Sequence, residues 1–155
     1  MKLFCGVIVL ACAPAALAGN NVAYPKENVA DFVLQKLDVT TLPSSIRPKP
    51  EKGKKTFGDY GYRTHQLDEK EALVERTPGG AQIDVRILEQ KSSGIYVCVQ
   101  GPSEKANGGQ IQRVYFLKLK NPNGLLKGRE SWKEFDGCPA IGVDPASLAD
   151  SSTGG

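Results

Sequence analysis

The stretch AQIDVRILEQKSSGIYVCVQ, residues 81–100, decides the fold. Ile83, Val85 and Ile87 alternate with Asp84, Arg86 and Leu88, so one side of residues 81–90 is apolar and the other is mixed, the period of a half-buried strand. KSSG then turns the chain, and the β-branched run IYVCVQ (95–100) returns. Two strands joined by a short polar turn are antiparallel neighbours, because parallel neighbours need a long crossover.

The same reading extends to both sides. EALVERT (71–77) alternates weakly and ends in the turn PGG. After the polar connection GPSEKANGG (101–109) comes QIQRVYFLKLK (110–120), the longest strand expected. Ile111, Tyr115, Leu117 and Leu119 share one face of it, interrupted at Arg113, and NPNG closes it. LLKGRESWKEFDGCP supports two readings, a last short strand with a turn or a segment laid across the sheet, with Trp132 and Phe135 as its packing anchors.

Upstream, YPKENVADFVLQKLD places Val29, Phe32, Val33 and Leu37 at i, i+3, i+4 and i+8, with Leu34 widening the stripe, which predicts an amphipathic helix. Pro25 suits its start, Lys26 and Glu27 its first turn, and Pro43 in VTTLPSS stops it. The expected architecture is α+β: one N-terminal amphipathic helix packed on a four- to five-stranded antiparallel meander, within a single domain over residues 19–142.

The first residues, MKLFCGVIVLACAPAALAGNN, carry one positive charge at Lys2, an apolar run to about Ala13, and small residues at the −3 and −1 positions before Gly19. That three-part layout predicts a signal peptide over residues 1–18 and an exported protein, secreted or periplasmic. Lipidation at Cys12 is the alternative, and it would tether the chain to a membrane. Removing the leader takes Lys2 and no acid, leaving 19 basic against 17 acidic residues, a net charge of +2. That balance makes no chain-wide case for nucleic acid. It also removes Cys5 and Cys12, so Cys98 and Cys138 are expected to pair, as two cysteines in an exported chain do. The tail VDPASLADSSTGG (143–155) is small and polar and is expected to be disordered.

Few residues propose chemistry. His65 is the only histidine, in the polar stretch GYRTHQLDEKE, without a GxSxG or HExxH motif anywhere in the chain. A Ser-His-Asp mechanism would have to use it, and a Cys-His mechanism fails if Cys98 is oxidised. One histidine and two distant cysteines do not form a zinc set, and DxDxDG is absent, so no metal or other cofactor is expected. Glu134 and Asp136 lie close in sequence, which alone does not set two carboxylates across a cleft. PGGAQ and NGGQ read as turns, without the GxxxxGK of a phosphate loop.

The segment PSSIRPKPEKGKKTFGDYG (43–61) stands out. It holds three prolines and three glycines, and between residues 47 and 55 it carries Arg47, Lys49, Lys52, Lys54 and Lys55 against the single acid Glu51. Phe57, Tyr60 and Tyr62 follow, so a cationic and aromatic contact surface is expected there, facing an anionic macromolecule or an acidic protein patch. In outline, a helix followed by a meander resembles the cystatin-type arrangement, some of whose members inhibit cysteine proteases through a QxVxG hairpin. VCVQG (97–101) has those letters in another order, so that activity is not carried over. The expected function is therefore a non-enzymatic binding module outside the cytoplasm. Its rivals are a small hydrolase built on His65 and distant carboxylates, and a structural envelope component with a merely solubilising loop. An open edge beside the last strand is where a dimer would form, though no residue demands one.

Overall fold

The computed structural model describes residues 23–44, 46–102 and 110–138. The expected leader with Cys5 and Cys12, and the tail 143–155, lie outside them. The described chain runs α1 (Val29–Lys36), β1 (Leu37–Asp38), a 3-10 turn (Val39–Thr41), a second 3-10 turn (Gly58–Tyr60), β2 (Arg63–Gln66), β3 (Glu71–Glu75), β4 (Gln82–Lys91), β5 (Gly94–Pro102), β6 (Gln110–Leu119) and β7 (Leu126–Glu130). All the strands belong to one sheet in the order β1-β7-β6-β5-β4-β3-β2. From β2 to β7 every neighbouring pair is antiparallel, and β1 joins β7 in parallel.

The expectation of four or five antiparallel strands is corrected to a seven-stranded mixed sheet among the described residues. Both missed strands are at the edges. All four residues of β2, RTHQ, are exposed, so it shows no hydrophobic alternation; it is held by its pairing with β3 and by a hydrogen bond from Gln66 Nε2 to Asn28 Oδ1 (3.1 Å). β1 is two residues long and follows α1 without a connecting loop. Leu37 therefore fits the helical spacing although it is a strand residue, fully buried and opposite Leu126.

The helix is also shorter at its start than Pro25 implied. Asn28 takes the N-cap position in a left-handed conformation (φ 51°), and Asp31 and Lys36 are the charges that suit the helix dipole. Residues before Asn28 are instead held against strands. Gln90 Nε2 donates to the Pro25 carbonyl (2.9 Å), and Leu119 N–H donates to the Tyr24 hydroxyl (3.0 Å).

This short helix explains the curl of the sheet. Laid flat, β1 and β2 would stand about 29 Å apart, six spacings of about 4.8 Å. Residues 30–37 reach only about 13 Å. Yet Ala30 N–H donates to the Glu69 carbonyl in the β2–β3 turn (3.3 Å), and Leu37 pairs with β7 at the far side. Both contacts hold only if the sheet curls until its edges approach one another across the helix.

The concave side encloses the main core. Val74, Val85, Val97, Leu117 and Leu126 from five strands meet Val33 and Leu34 of α1, all at most 1% exposed. Segment 43–62 is part of that core: Ile46, Phe57 and Tyr60 are buried in it, and Tyr62 packs edge-on to Phe57 at 5.4 Å. Gly94 is required by a close approach, since a Cβ there would lie 2.5 Å from both the Phe116 ring and the Leu117 carbonyl.

A smaller cluster covers the convex side. Cys98 and Cys138 form the expected disulfide, with Cα atoms 5.7 Å apart, which draws residues 131–138 over Val114, Leu88 and Tyr96. Both readings of the C-terminal stretch thus hold in sequence, strand first and covering segment after. Leu88 reaches this cluster at a bulge where the β4–β5 register shifts between Ile87 and Glu89. Phe135 is an anchor as expected, 5.3 Å from the Tyr96 ring. Trp132 is not: it is 92% exposed, because Lys133 rather than Trp132 lies over Tyr96 and Phe135.

These placements predict opposite results for two aromatic truncations. Phe57→Ala should cost about 3–5 kcal/mol, the loss of a buried ring and the cavity left behind. Trp132→Ala should stay within about 0.5 kcal/mol. Equilibrium urea unfolding of the two variants checks both.

Candidate binding groove at the basic loop

The basic loop has a fixed backbone. Val39 N–H donates to the Lys55 carbonyl (2.8 Å), Glu51 N–H to the Tyr60 hydroxyl (3.1 Å), and the Ile46 and Arg47 N–H groups both to the Pro43 carbonyl. The Asp59 carboxylate accepts from the N–H groups of Thr56 and Lys55, each at 2.8 Å, which holds it below the usual carboxylate range. With Phe57 and Tyr60 in the core, the loop is mounted on the sheet at several points.

The five cations differ in setting. Lys49, Lys52 and Lys55 are exposed. Lys54 pairs with Glu51 at 2.7 Å and lies 5.4 Å from the Tyr60 ring centre, and its hydrogen bond is the main cause of the lowered Glu51 pKa. Arg47 turns toward the body of the protein, where Nη1 donates to the Thr40 carbonyl (2.9 Å). The structure places Tyr60 and Tyr62 beneath the loop as its anchors, with Lys54 over the Tyr60 ring, while Lys49, Lys52 and Lys55 face solvent.

Two adjoining hollows run along this loop. The larger, about 440 Å³, lies between Thr40–Ser44, Arg47, Tyr115 and Glu130. The second, about 260 Å³, shares Ser44 and Arg47 and continues past Pro48 to Lys49 and Pro50. Gly128 lets the Val39–Thr41 turn sit against β7: a Cβ there would be 3.3 Å from both Thr41 Oγ1 and the Leu117 side chain, and its N–H donates to Thr41 Oγ1 (2.8 Å). The edge beside the last strand is therefore covered over Leu126–Gly128 by β1 and Thr41.

Inside the larger hollow the polar groups are incompletely matched. Tyr115 is 1% exposed and its hydroxyl has no hydrogen-bond partner in the protein; the Arg47 Nε is buried and likewise unpartnered. Burial, with the Glu130 charge second, pushes the Tyr115 hydroxyl above the usual tyrosine range. Glu130 stands directly opposite Tyr115 in the β6–β7 register and pairs with Arg113 Nε at 3.3 Å. Sequence reading named Arg47 and Lys49 but missed Tyr115 and Glu130. The available signal was a tyrosine on the buried face of a strand, since a buried phenol needs a partner.

The other candidates fall elsewhere. His65 is on edge strand β2, and its Nε2 lies 2.9 Å from Glu75 Oε1, a contact that leads the lowering of the Glu75 pKa. Among the described residues no hydroxyl or thiol is hydrogen-bonded to the His65 ring, and none of the four hollows described for the molecule includes it. No group of three or more His, Cys, Asp or Glu among them could hold a metal ion, and no helix among them is long and apolar enough to cross a membrane. Glu134 lines a convex-side hollow of about 270 Å³ with Trp132 and Arg113. Comparison of the chain with protein-family models, curated proteins and solved structures found no match.

A carboxylate pair lies on the convex face. Burial, then the charge and hydrogen bond of Glu71, raise the Asp84 pKa from 3.8 to about 6, with Arg86 opposing. Arg86 also donates to the Gly137 carbonyl (3.1 Å) and pairs with Glu71 (3.3 Å), which ties the pair to the covering segment. Because the folded state holds this proton more tightly than the unfolded state, stability from it is present at low pH and is lost as pH rises from about 4 to about 6. Asp84→Asn should therefore raise the melting temperature near neutral pH and change it much less near pH 4. Thermal unfolding at both pH values checks this, and an equal effect at both would contradict it.

Proposed function

We propose that this protein is a binding module that acts outside the cytoplasm and holds an anionic polymer along the groove beside its basic loop. The observation that carries the reading is the rigid mounting of the cations. A solvated loop would present them on a mobile chain, whereas here Ile46, Phe57 and Tyr60 fix the segment that displays Lys49, Lys52 and Lys55. Charges held in place lose less freedom on binding and so retain more of their attraction as affinity.

Export is supported by the leader-like first 18 residues and by the Cys98–Cys138 disulfide, which persists most readily in an oxidising compartment. It also favours an extracellular or periplasmic polyanion, such as an acidic polysaccharide, over nucleic acid. Glu51 is the one acid within residues 47–55, and its charge is matched by Lys54. Lys49, Lys52 and Lys55 are available to a polymer running across them.

The test is retention of the purified protein on immobilised polyuronate and on dextran sulfate under a salt gradient. A variant with Lys49, Lys52, Lys54 and Lys55 changed to Gln, and Arg47 kept, runs beside it. The native protein should be retained and should elute with rising salt, as screened charge contacts do. The variant should bind at least tenfold more weakly, about 1.4 kcal/mol. Equal elution of the two proteins would overturn the assignment of the loop as the contact surface.

A further inference from the structure

We infer that the hollow between Arg47, Tyr115 and Glu130 is a subsite for one hydroxylated carboxylate unit of the ligand, of the kind a uronate sugar carries. The inference rests on the binding reading above and names the group that the larger hollow of the groove takes.

Two of the three buried side-chain polar atoms without a partner among the described residues, Arg47 Nε and the Tyr115 hydroxyl, belong to residues lining this one hollow. Chance leaves few such atoms in a folded protein and gives no reason for them to gather. The Tyr115 side chain is 1% exposed, and it occupies a position where phenylalanine would fill the same core space without the polar cost. An unpartnered hydroxyl kept at such a position indicates an occupant that supplies the partner.

The neighbours define that occupant. Arg47 Nη1 is engaged by the Thr40 carbonyl, and Nε is shielded from solvent yet unpartnered, so a carboxylate that displaces what covers it would meet the Nε–Nη2 edge. That edge matches the two oxygens of a planar carboxylate, and a phenol donates to the same kind of group. Glu130, across from Tyr115, repels a dianion and accepts from an O–H or N–H. A carboxylate with an adjacent hydroxyl meets both sides with a single negative charge, whereas a phosphate dianion brings a second charge against Glu130. About 440 Å³ accommodates a unit of monosaccharide size, within the usual range of small-ligand sites. The adjoining hollow leads on to Lys49, so a polymer seated by one unit would continue along the loop.

The test is calorimetric titration of the purified protein with glucuronate, with glucose and inorganic phosphate as comparison probes, and with the variants Tyr115→Phe and Arg47→Lys. Glucuronate should bind the native protein at least tenfold more tightly than glucose or phosphate. Both variants should weaken glucuronate at least tenfold. Tyr115→Phe should keep or raise the melting temperature, which separates lost binding from lost folding, and Arg47→Lys should show that the fork matters beyond its charge. Unchanged glucuronate affinity in Tyr115→Phe would overturn the inference, as would phosphate binding as tightly as glucuronate, or no binding of glucuronate by the native protein. If the four-lysine variant loses the polymer while Tyr115→Phe binds glucuronate normally, the subsite is wrong and the loop reading stands. If the four-lysine variant keeps the polymer, it is the loop reading that fails.

Discussion

Everything in this fold follows from how short the chain is between the β2–β3 turn and β7. One end of α1 is hydrogen-bonded at Glu69 and the other runs straight into β1 against Leu126. A seven-stranded sheet cannot meet both demands while flat, so it curls, and the curl creates an interior with a mouth. The interior is filled by alternate residues of β3 to β7 and by the apolar stripe of α1. The mouth is filled by the segment that follows β1, through Ile46, Phe57 and Tyr60. A loop rich in lysine, proline and glycine thereby becomes a wall of the molecule.

The groove is a by-product of that closure. Where the Val39–Thr41 turn docks beside Gly128, β1 has already ended, and the far end of β7 with Glu130 is left beside Tyr115 and Arg47. A buried polar group without a partner costs about 1–3 kcal/mol. A domain of this size is stable by only about 5–15 kcal/mol in all. On the proposed reading, a bound carboxylate would partner the two groups beside this hollow and offset that cost. The convex face carries a different kind of tension, a carboxylate pair under a segment held by the disulfide, whose cost appears only as pH rises.

The long strands were legible because each buries one face. Ile83, Val85 and Ile87 alternate in sequence and are buried together, and the Cys98–Cys138 pairing follows from counting the cysteines outside the expected leader. The edges were illegible for two opposite reasons. β2 is polar on both faces and so has no pattern, while both residues of β1 are buried and merge with the end of the helix. The anchors of the basic loop were visible as residues but not as anchors, since Ile46, Phe57 and Tyr60 follow no period. Trp132 misled for the reverse reason: a large apolar residue is more often packed than displayed. In the site, Arg47 and Lys49 announced themselves by charge. Tyr115 and Glu130 are neighbours only through the β6–β7 register, which no local pattern encodes.

The central claim is that the helix and the loop close the curled sheet as one unit with it. Native-state hydrogen exchange of the Val39, Tyr62 and Gly128 amides tests it directly, because these three N–H groups bond to Lys55, Phe57 and Thr41 respectively. The account predicts that all three exchange only through global unfolding, with the same denaturant dependence as the Val97 amide in the middle of β5. Exchange of these three through small local openings, at rates typical of exposed loops while Val97 stays protected, would contradict it.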